Sequence, residues 1–443
     1  MRLRRQSFFV LVVLTALTFI LQAKAAEEMG VVLPTEGTLD ERAFFSTRRD
    51  PAVGYDRDST DAVGVLSRKV ADGTVKLRFE KAGGYLRSVL DALEVPIESQ
   101  TVLFSKTSLQ SHYISPSNPR ALFYADEVSI GFIRNAPLLE IAAFDPKQGV
   151  IFYAMEQSEA DRPVIARSDS CLSCHESRNT LSVPGFLLRS MGVGPGGQTM
   201  PQFGNFVSDH RSPFVERWGG WFVTGNTGSV RHMGNVTLAA NGKPSRETGA
   251  RLESLEGKFD LEGYPTAYSD VAAVMVFNHQ SRMINLLTRV GWETRIALDQ
   301  MNQDARQKPA AERLIAADAA ELVDYMLFVD EVPLSAKFES TSGFSAKFAS
   351  LGPRDRRGRS LRQVDLGKRL MRYPCSYMIY SRAFEELPAA TKEAIYSRLW
   401  SILSGQEKAA KYSKLSAADR ADVVSILLET KNGLPSYYRS LKN

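Results

Sequence analysis

Hydrophobic residues follow different periods in the two halves of the chain. From about residue 93 to residue 157 they form short runs rich in Val, Ile, Phe and Tyr, and turn residues separate these runs. Such runs are typical of β-strands joined by tight turns. One hairpin is predicted in LEIAAF-DPKQG-VIFYAM, where Asp145, Pro146 and Gly149 supply the turn, and two earlier strands are predicted around Asp126-Glu127. We therefore expect an antiparallel sheet in this region.

Beyond about residue 250 the apolar residues recur at steps of three and four, which is the spacing of a helix. The longest such segment starts near Ser269, an expected N-cap, and three more helices are predicted after it. In the last of them Ser416 and Asp419 have the spacing of a capping box. The C-terminal region is therefore predicted to be mainly helical, with a shorter helix expected earlier, from Gly84 to Leu93.

Glycine interrupts both patterns between about residues 162 and 250. The stretch RSMGVGPGGQTMPQFGNF is predicted to lack regular structure, and RWGGWFVTGNTG to form a strand pair. Residues 26–75 are polar and rich in turn formers, without sustained periodicity. The whole pattern predicts an α+β fold with an antiparallel β-rich N-terminal half, a glycine-rich middle segment and a mainly helical C-terminal region.

The first 25 residues have the composition of an export signal. Three arginines precede an apolar run over residues 8–21, and Ala23-Lys24-Ala25 matches an A-x-A cleavage site. The run is shorter than the ~20 residues that a membrane span usually needs. We predict a signal peptide over residues 1–25, a periplasmic protein, and no membrane span in the mature chain.

Composition and charge narrow the expected partners. The chain is 44% hydrophobic and 24% charged, as in globular proteins that bury a sizeable core. It has 55 basic and 50 acidic residues, and loss of the signal peptide would leave 51 basic residues against the same 50 acids. This near-neutral balance gives no reason to expect nucleic acid as a partner.

Two of the three cysteines lie in the stretch SDSCLSCHES, as Cys171 and Cys174, and His175 follows directly. Two thiols at this spacing can each add to one vinyl group of a porphyrin, and the next residue then brings an imidazole to the iron. The motif resembles that of c-type cytochromes, whose haem is attached outside the cytoplasm, in agreement with the predicted export. The resemblance implies one covalent haem c held by Cys171 and Cys174, with His175 as the proximal iron ligand.

Three other interpretations of the motif remain open at this point. A structural zinc site needs about four ligands, and only Cys375 and scattered histidines remain to complete it. A thioredoxin-like dithiol should open a helix after a strand in a βαβ frame. The third is a chance match or an ordinary disulfide, which the small number of cysteines and histidines disfavours.

Taken with CLSCH and the signal, the segments GGWFVTGN and RSLRQVDLGKRLMRYPCSYMIYS are similar to those of large exported bacterial cytochrome-c-like proteins. The chain does not match a small class I cytochrome, whose motif lies near the start of a domain of about 100 residues. The expected division is a signal peptide at 1–25, a β-rich region at 26–161, a haem-binding segment at 162–250 and a helical region at 251–443.

Electron transfer with an unidentified redox partner protein is the leading functional hypothesis, with the iron potential set by axial ligation and burial. The alternative is a haem-dependent oxidoreductase or haem sensor with an open distal site, because a simple carrier needs far fewer residues. An interaction protein with a structural haem is a third hypothesis. The sequence has no second haem motif and no recognisable catalytic constellation, and this counts against an enzyme.

For the second iron ligand we predict a histidine, and His279 first. It belongs to a stripe of inward-facing positions on the long predicted helix, namely Ala272, Met275, His279, Met283, Leu286 and Val290. His210 and His232 are the next candidates, and Met233 follows them. The remaining candidates are His112, Met191 and Met200. Two histidine ligands would give a lower potential than a histidine with a methionine.

Three other features have both a functional and a structural interpretation. The basic run Arg354–Arg372 either pairs with haem propionates or an acidic partner, or forms a solvated loop. Cys375 is either a thiolate ligand or a small buried hydrophobe. Trp218 and Trp221 either stack near the porphyrin or fill the core.

Overall fold

A seven-stranded antiparallel sheet forms the β-rich part of the protein. The computed structural model describes residues 34, 36–244 and 251–442, so the predicted signal peptide lies outside the described residues. The strands are β1 (Thr101–Leu103), β2 (Arg120–Tyr124), β3 (Val128–Ile133), β4 (Leu138–Asp145), β5 (Gly149–Glu156), β6 (Ile165–Arg167), β7 (Arg189–Met191), β8 (Asn205–Val207) and β9 (Trp221–Phe222). The order across the sheet is β6-β5-β4-β3-β2-β1-β9, and β7 pairs separately with β8. All these pairs are antiparallel.

Helices precede the sheet and form most of the C-terminal region. They are α1 (Leu39–Arg42), α2 (Ala62–Ala71), α3 (Leu86–Ala92), α4 (Leu172–His175), α5 (Val271–Gln303), α6 (Lys308–Met326), α7 (Phe344–Ser350), α8 (Arg382–Glu385), α9 (Ala389–Leu403) and α10 (Ala417–Thr430). None of the helices in the described part of the chain is long and apolar enough to cross a membrane.

The α+β class predicted from the sequence is confirmed. The hairpin of β4 and β5, the turn at Asp126-Glu127 between β2 and β3, and the capping box of Ser416 and Asp419 are all present. Two details were wrong. RSMGVGPGGQTMPQFGNF contains β7 and the start of β8, and RWGGWFVTGNTG contributes only β9. The turn-rich N-terminal segment, for which no element was predicted, includes α1 and α2. Short elements of this kind are fixed by contacts with distant residues, which a local pattern does not record.

The two faces of the sheet are covered differently. Ile130, Ile141 and Ile151 share one face, where they pack with α2 and α3 in a continuous hydrophobic cluster. Side chains alternate along a strand, so the neighbouring residues point to the opposite face. That face is only partly covered, by α5 and by the segment that follows the cysteine motif, and a cavity remains there.

Helix α5 runs through the centre of the molecule. Its 33 residues give it a length of about 50 Å, and the side chains from Val271 to Thr294 are all buried. Asp270, not the predicted Ser269, is the N-cap and accepts a hydrogen bond from the amide of Ala272. Ser269 instead donates to the carbonyl oxygen of Phe222 in β9. The start of α5 is thereby fixed to the edge of the sheet.

A buried charge cluster joins α1 to α5 and α6. Arg42 donates to Glu293 and Asp318, and Arg289 donates to Glu293, while all four side chains are at most 1% exposed. Arg289 also donates to the carbonyl oxygen of Leu181, in the segment that follows the cysteine motif. The cluster therefore fixes that segment to the central helix. Strands from both the 26–161 and the 162–250 segments form one sheet, and one hydrophobic cluster extends from α1 to the C-terminal helices.

Candidate functional site

A cavity of about 380 Å³ lies between the second face of the sheet and the cysteine motif. Cys171, Cys174 and His175 all line it. Its volume is within the range of 300–1,000 Å³ that is common for small-molecule and cofactor sites. The three residues that the sequence singles out are therefore brought together at one cavity wall.

Three small residues, Ser129, Gly131 and Ala142, form part of the cavity floor. The register pairs Ser129 with Ala142 and Gly131 with Glu140 across neighbouring strands, and directly paired residues lie on the same face. A Cβ at Gly131 would lie 2.6 Å from the guanidinium of Arg120, so a larger residue there would displace the end of that side chain. The small residues leave space where larger strand residues would fill it.

Large apolar side chains surround this floor. They come from β1, β2, β5, β9, the segment after the motif and α5, and they are Leu103, Leu122, Phe152, Trp221, Phe186, Leu188 and Phe277. An apolar wall of this kind is typical of pockets that hold a large, mostly hydrophobic ligand. Trp221 is part of the wall, whereas Trp218 lies outside it and donates to Asn278 in α5.

The motif forms a single short helical segment directly after the edge strand β6. A 3₁₀ turn, Asp169–Cys171, continues into α4, and Leu172 is buried in the core. After α4, Glu176 forms an ion pair with Arg48, with the Nε and Oε2 atoms 2.7 Å apart. The motif is thus fixed at both ends, while Cys171 is half-buried and Cys174 is exposed.

The ring of His175 is oriented by its own loop. Its Nδ1 atom lies 2.9 Å from the carbonyl oxygen of Gly185. A carbonyl can only accept, so Nδ1 carries the proton and Nε2 holds the lone pair. Within the described part of the chain Nε2 has no hydrogen-bond partner. Metal-binding histidines typically donate from one ring nitrogen to a carbonyl or carboxylate and bind metal through the other.

Burial keeps this imidazole neutral. The ring lies against Phe152, with 4.7 Å between the ring centroids. Loss of water lowers the pKa of His175, and the nearby Arg120 lowers it further, while the hydrogen bond to Gly185 raises it. A neutral imidazole is the form that binds metal ions. His175 therefore has both the tautomer and the charge state of a metal ligand.

Asn285 of α5 holds the loop that orients His175, and sequence reasoning missed it. Its Oδ1 atom accepts from the amide of Phe186 at 2.9 Å, and its Nδ2 atom donates to the carbonyl of the same residue at 2.8 Å. Phe186 follows Gly185 directly, so this double hydrogen bond fixes the carbonyl that His175 contacts. An asparagine in a long helix gives no signal in the sequence of such a role.

Three cationic side chains line the cavity, namely Lys106, Arg120 and Arg189, with Glu140 as the acid among them. Arg120 forms an ion pair with Glu140, which also accepts from the hydroxyl of Ser108 at 2.7 Å. The Nε atoms of Arg120 and Arg189 are buried without a hydrogen-bond partner among the described residues, but the same holds for six other arginines, so this feature does not by itself indicate a ligand. The cationic side chains do give the cavity wall groups that can pair with an anionic group.

The thiols do not have the environment of a redox-active dithiol. Burial raises the pKa of Cys171, whereas reactive cysteines have a lowered pKa that favours the thiolate. The motif does follow a strand, yet β6 pairs antiparallel with β5, so the motif does not lie in a βαβ frame. All three cysteines have free thiols in this structure. Over the described residues, no group of three or more His, Cys, Asp or Glu side chains is placed to hold a metal ion.

The predicted histidine candidates for the second iron position do not line the cavity. His279 is fully buried, as its apolar stripe predicts, but its Nδ1 atom lies 2.8 Å from Nδ1 of His210 and its Nε2 atom 2.7 Å from Oγ of Ser376. His232 accepts from the amide of Gly234 at 3.0 Å. Burial lowers the pKa of His279 to about 3 and that of His232 to about 4. These imidazoles are neutral side chains in the core, outside the wall of the cavity that the motif lines, and their role as iron ligands stays a prediction.

Of the methionine candidates, Met191 lines the cavity. Met233 lies on the other side of β7, where its sulfur accepts from the hydroxyl of Ser190 at 3.8 Å. Met200 and the exposed His112 are outside the cavity wall as well. Of the residues predicted for the second iron position, only Met191 is among the described residues that line the cavity.

The remaining sequence features have structural roles. In the basic run, Arg359 pairs with Asp355 and Asp422, and Arg369 pairs with Asp419, so this segment is attached to α10. Cys375 is fully buried, and burial raises its pKa to about 12. Neither feature contributes to the cavity wall.

Comparison of the chain with protein-family models, with curated proteins and with solved structures finds no match.

Proposed function

We propose that this chain is a periplasmic mono-haem c-type cytochrome that transfers electrons. In this proposal Cys171 and Cys174 attach one haem c, and His175 is the proximal iron ligand. The export signal predicted over residues 1–25 supports the periplasmic location, because the haem of c-type cytochromes is attached outside the cytoplasm.

The arrangement of His175 supports the proposal most strongly. It combines a protonated Nδ1 held by the Gly185 carbonyl, a neutral ring, and an Nε2 atom without a protein partner, directly beside two thiols at one cavity wall. The core histidines do not all satisfy both nitrogens, since His279 does and Nε2 of His210 has no partner among the described residues. What supports the proposal is therefore the position of the His175 lone pair, on a ring that lines the cavity together with both thiols.

The cavity also fits the other parts of a haem. Its floor of small residues and its aromatic border suit an apolar ring, and the cationic side chains in its wall suit two carboxylates. Bound there, the group would supply a reversible one-electron change. The chain would exclude water through Phe152 and Phe186, hold the proton on Nδ1 of His175, and compensate negative charge with Arg120 and Arg189.

A haem-dependent oxidoreductase or a haem sensor is the second candidate. It is favoured by a polar network at the cavity wall, where Glu140 accepts from Ser108, Gln110 and Arg120. Such a network could position a small polar substrate or ligand. A carrier has no need of it beyond contact with the propionates.

The experiment is export of the full chain in cells with a cytochrome maturation system, followed by haem staining after denaturing electrophoresis. The wild type is expected to stain, and the double variant Cys171→Ala/Cys174→Ala is expected not to. Cys375→Ala is the matched control, since it removes a buried thiol outside the cavity and should leave the stain unchanged. An exported wild-type protein without stain contradicts the proposal.

A further inference from the structure

We propose that a second cavity of the protein binds a free α-amino acid with an aromatic side chain. The second cavity has a volume of about 370 Å³ and lies between the turn that joins β2 to β3, the segment after α3, helix α7, and residues 362 and 380–382. None of the described residues that line it also lines the cavity at the cysteine motif. The two sites are therefore separate, and this inference does not depend on the proposed haem.

Much of the wall of the second cavity is aromatic. Four rings line it, namely those of Tyr124, Phe344, Phe348 and Tyr380. The hydroxyl of Tyr124 donates to the carbonyl oxygen of Ala273 at 2.7 Å, and the hydroxyl of Tyr380 lies 2.6 Å from Oγ1 of Thr430. Because these polar ends already have partners, the two tyrosines offer a ligand mainly ring surface. A wall of this kind favours a ligand with an aromatic group.

An ion pair between Arg362 and Asp126 lies in the same wall, where Nη2 of Arg362 donates to Oδ2 of Asp126. The guanidinium carbon lies 4.9 Å from the ring centroid of Phe348 and 4.4 Å from that of Tyr377. Only 4% of Arg362 is exposed, so packing holds its charged group in place. The wall therefore presents a positive and a negative charge side by side in fixed positions.

Both members of this ion pair have polar atoms left for a ligand. Within the described part of the chain, no residue accepts a hydrogen bond from Nη1 of Arg362 or donates one to Oδ1 of Asp126. A guanidinium group binds carboxylates through its N–H groups, and a carboxylate oxygen accepts from an ammonium group. A ligand that carries an anionic and a cationic group next to each other would complete both.

An α-amino acid carries these two groups on one carbon atom. Its carboxylate would pair with Arg362 and its ammonium group with Asp126, while its side chain lies among the rings. The other charged residues of the wall are two acids and two bases, namely Glu94, Glu127, Lys347 and Arg382. A ligand with a net charge would meet residues of its own sign, whereas a zwitterion has no net charge. The charges of the wall therefore favour a zwitterion over a simple amine or a simple acid.

The test is isothermal titration calorimetry of the exported full chain with L-phenylalanine. Two matched compounds each lack one charged group, since 3-phenylpropionate has no ammonium group and phenethylamine has no carboxylate. Phenylalanine should bind at one site, and each of the other compounds at least about tenfold more weakly, which corresponds to about 1.4 kcal/mol. Absence of saturable binding at millimolar phenylalanine overturns the inference, and so does equally tight binding of either matched compound.

A variant of the ion pair locates the binding site. Asp126→Asn keeps an oxygen that can accept from Arg362 but removes the negative charge. It should weaken the binding of phenylalanine by about tenfold and leave the binding of 3-phenylpropionate no weaker than before. Glu94→Gln is the matched control, because it removes an exposed acid of the same wall and should change either Kd by less than about twofold. A folded Asp126→Asn variant that binds phenylalanine as tightly as the wild type overturns the inference.

The comparison of the three compounds needs only the wild-type protein, so it decides the matter even if Asp126→Asn does not fold. Haem staining of the same samples tests the proposed function separately. A protein without covalent haem that binds phenylalanine refutes the proposed function and supports this inference, whereas a stained protein that does not bind phenylalanine refutes only this inference.

Discussion

The imidazole of His175 and the imidazole pair of His210 and His279 lie in similar apolar surroundings but have different partners. His279 contacts His210 through one nitrogen and Ser376 through the other, so both of its nitrogens are satisfied inside the protein. His175 has one protein partner, the Gly185 carbonyl, and its second nitrogen is at the cavity. His210 also has a nitrogen, Nε2, without a hydrogen-bond partner among the described residues, but that atom is enclosed in the core. The position of His175 at the cavity wall, beside two thiols, is therefore what separates it from the core imidazoles.

Removal of each imidazole in turn is the most direct test of this difference. His175→Ala should abolish low-spin haem in the holoprotein, because the proximal ligand is lost. His279→Ala should retain the wild-type spectrum and lower the free energy of unfolding by about 2–4 kcal/mol, because it leaves a cavity and removes the partner of His210. Absorption spectra and urea unfolding measure the two effects. A high-spin spectrum in His279→Ala, with the fold intact, would restore His279 as a ligand.

The buried charge cluster gives the next largest effect. Arg42→Met removes the guanidinium that pairs with both Glu293 and Asp318, and these two buried carboxyl groups lose that positive charge. The free energy of unfolding should therefore fall by about 3–5 kcal/mol. Chemical denaturation of the full chain measures this loss. Because the cluster fixes the segment after the motif only at a distance, the haem spectrum of the folded fraction should not change. An altered spectrum would show that the cluster acts on the iron site itself.

Substitution of Asn285 should lower stability less than Arg42→Met does, but it should alter the surroundings of His175 specifically. Asn285→Ala leaves the amide and carbonyl of Phe186 without their partners, a cost of about 1–3 kcal/mol. The neighbouring Gly185 carbonyl then orients His175 less well, so the low-spin resonance of the ferric iron should broaden or shift. Asn278→Ala is the control, since Asn278 is also buried on α5 but accepts from Trp218 outside the cavity. Equal spectral changes in both variants would contradict a specific role for Asn285.

The core histidines predict a dependence of stability on pH. Burial lowers the pKa of His279 to about 3 and that of His232 to about 4 in the folded chain, whereas an unfolded chain takes up these protons near pH 6.5. The unfolded state thus binds more protons below pH 6.5, and the free energy of unfolding decreases as the pH falls. Each histidine contributes a slope of about 1.4 kcal/mol per pH unit in that window.

Urea unfolding between pH 5 and pH 7 measures this slope. The variant His232→Gln should reduce it by the share of one histidine. If stability instead increased on acidification through this window, the imidazoles would be charged in the folded state, contrary to their burial.

The class of fold could be predicted from the sequence, and the cysteine motif could be recognised in it, because both depend on local patterns. The β4–β5 hairpin follows from alternating residues around a turn, and the inward position of His279 follows from helical spacing. Helical spacing does not predict which residue will pair with a buried polar group. Helix α5 is buried on all sides from Val271 to Thr294, and Asn285 and His279 on it meet Phe186 and Ser376, which are both more than 90 residues away in the chain.

The cavity itself depends on register and could not be predicted for the same reason. Gly131, Ser129 and Ala142 are ordinary strand residues until the pairing of β3 with β4 aligns them on one face. Met191 lies in a stretch predicted to be irregular, and its position at the cavity wall follows from the pairing of β7 with β8. Chemistry that depends on one short motif is therefore visible in the sequence, and chemistry assembled across strands is visible only in the structure.

Mass spectrometry of the exported, mature protein tests the central claim most directly. The account predicts that the intact chain is heavier by one haem, and that after proteolysis this mass is found on the peptide that contains Cys171 and Cys174. The same peptide from the double variant Cys171→Ala/Cys174→Ala should have the mass of its amino acids alone. A wild-type peptide without added mass, from cells in which a known c-type cytochrome is fully matured, would contradict the account.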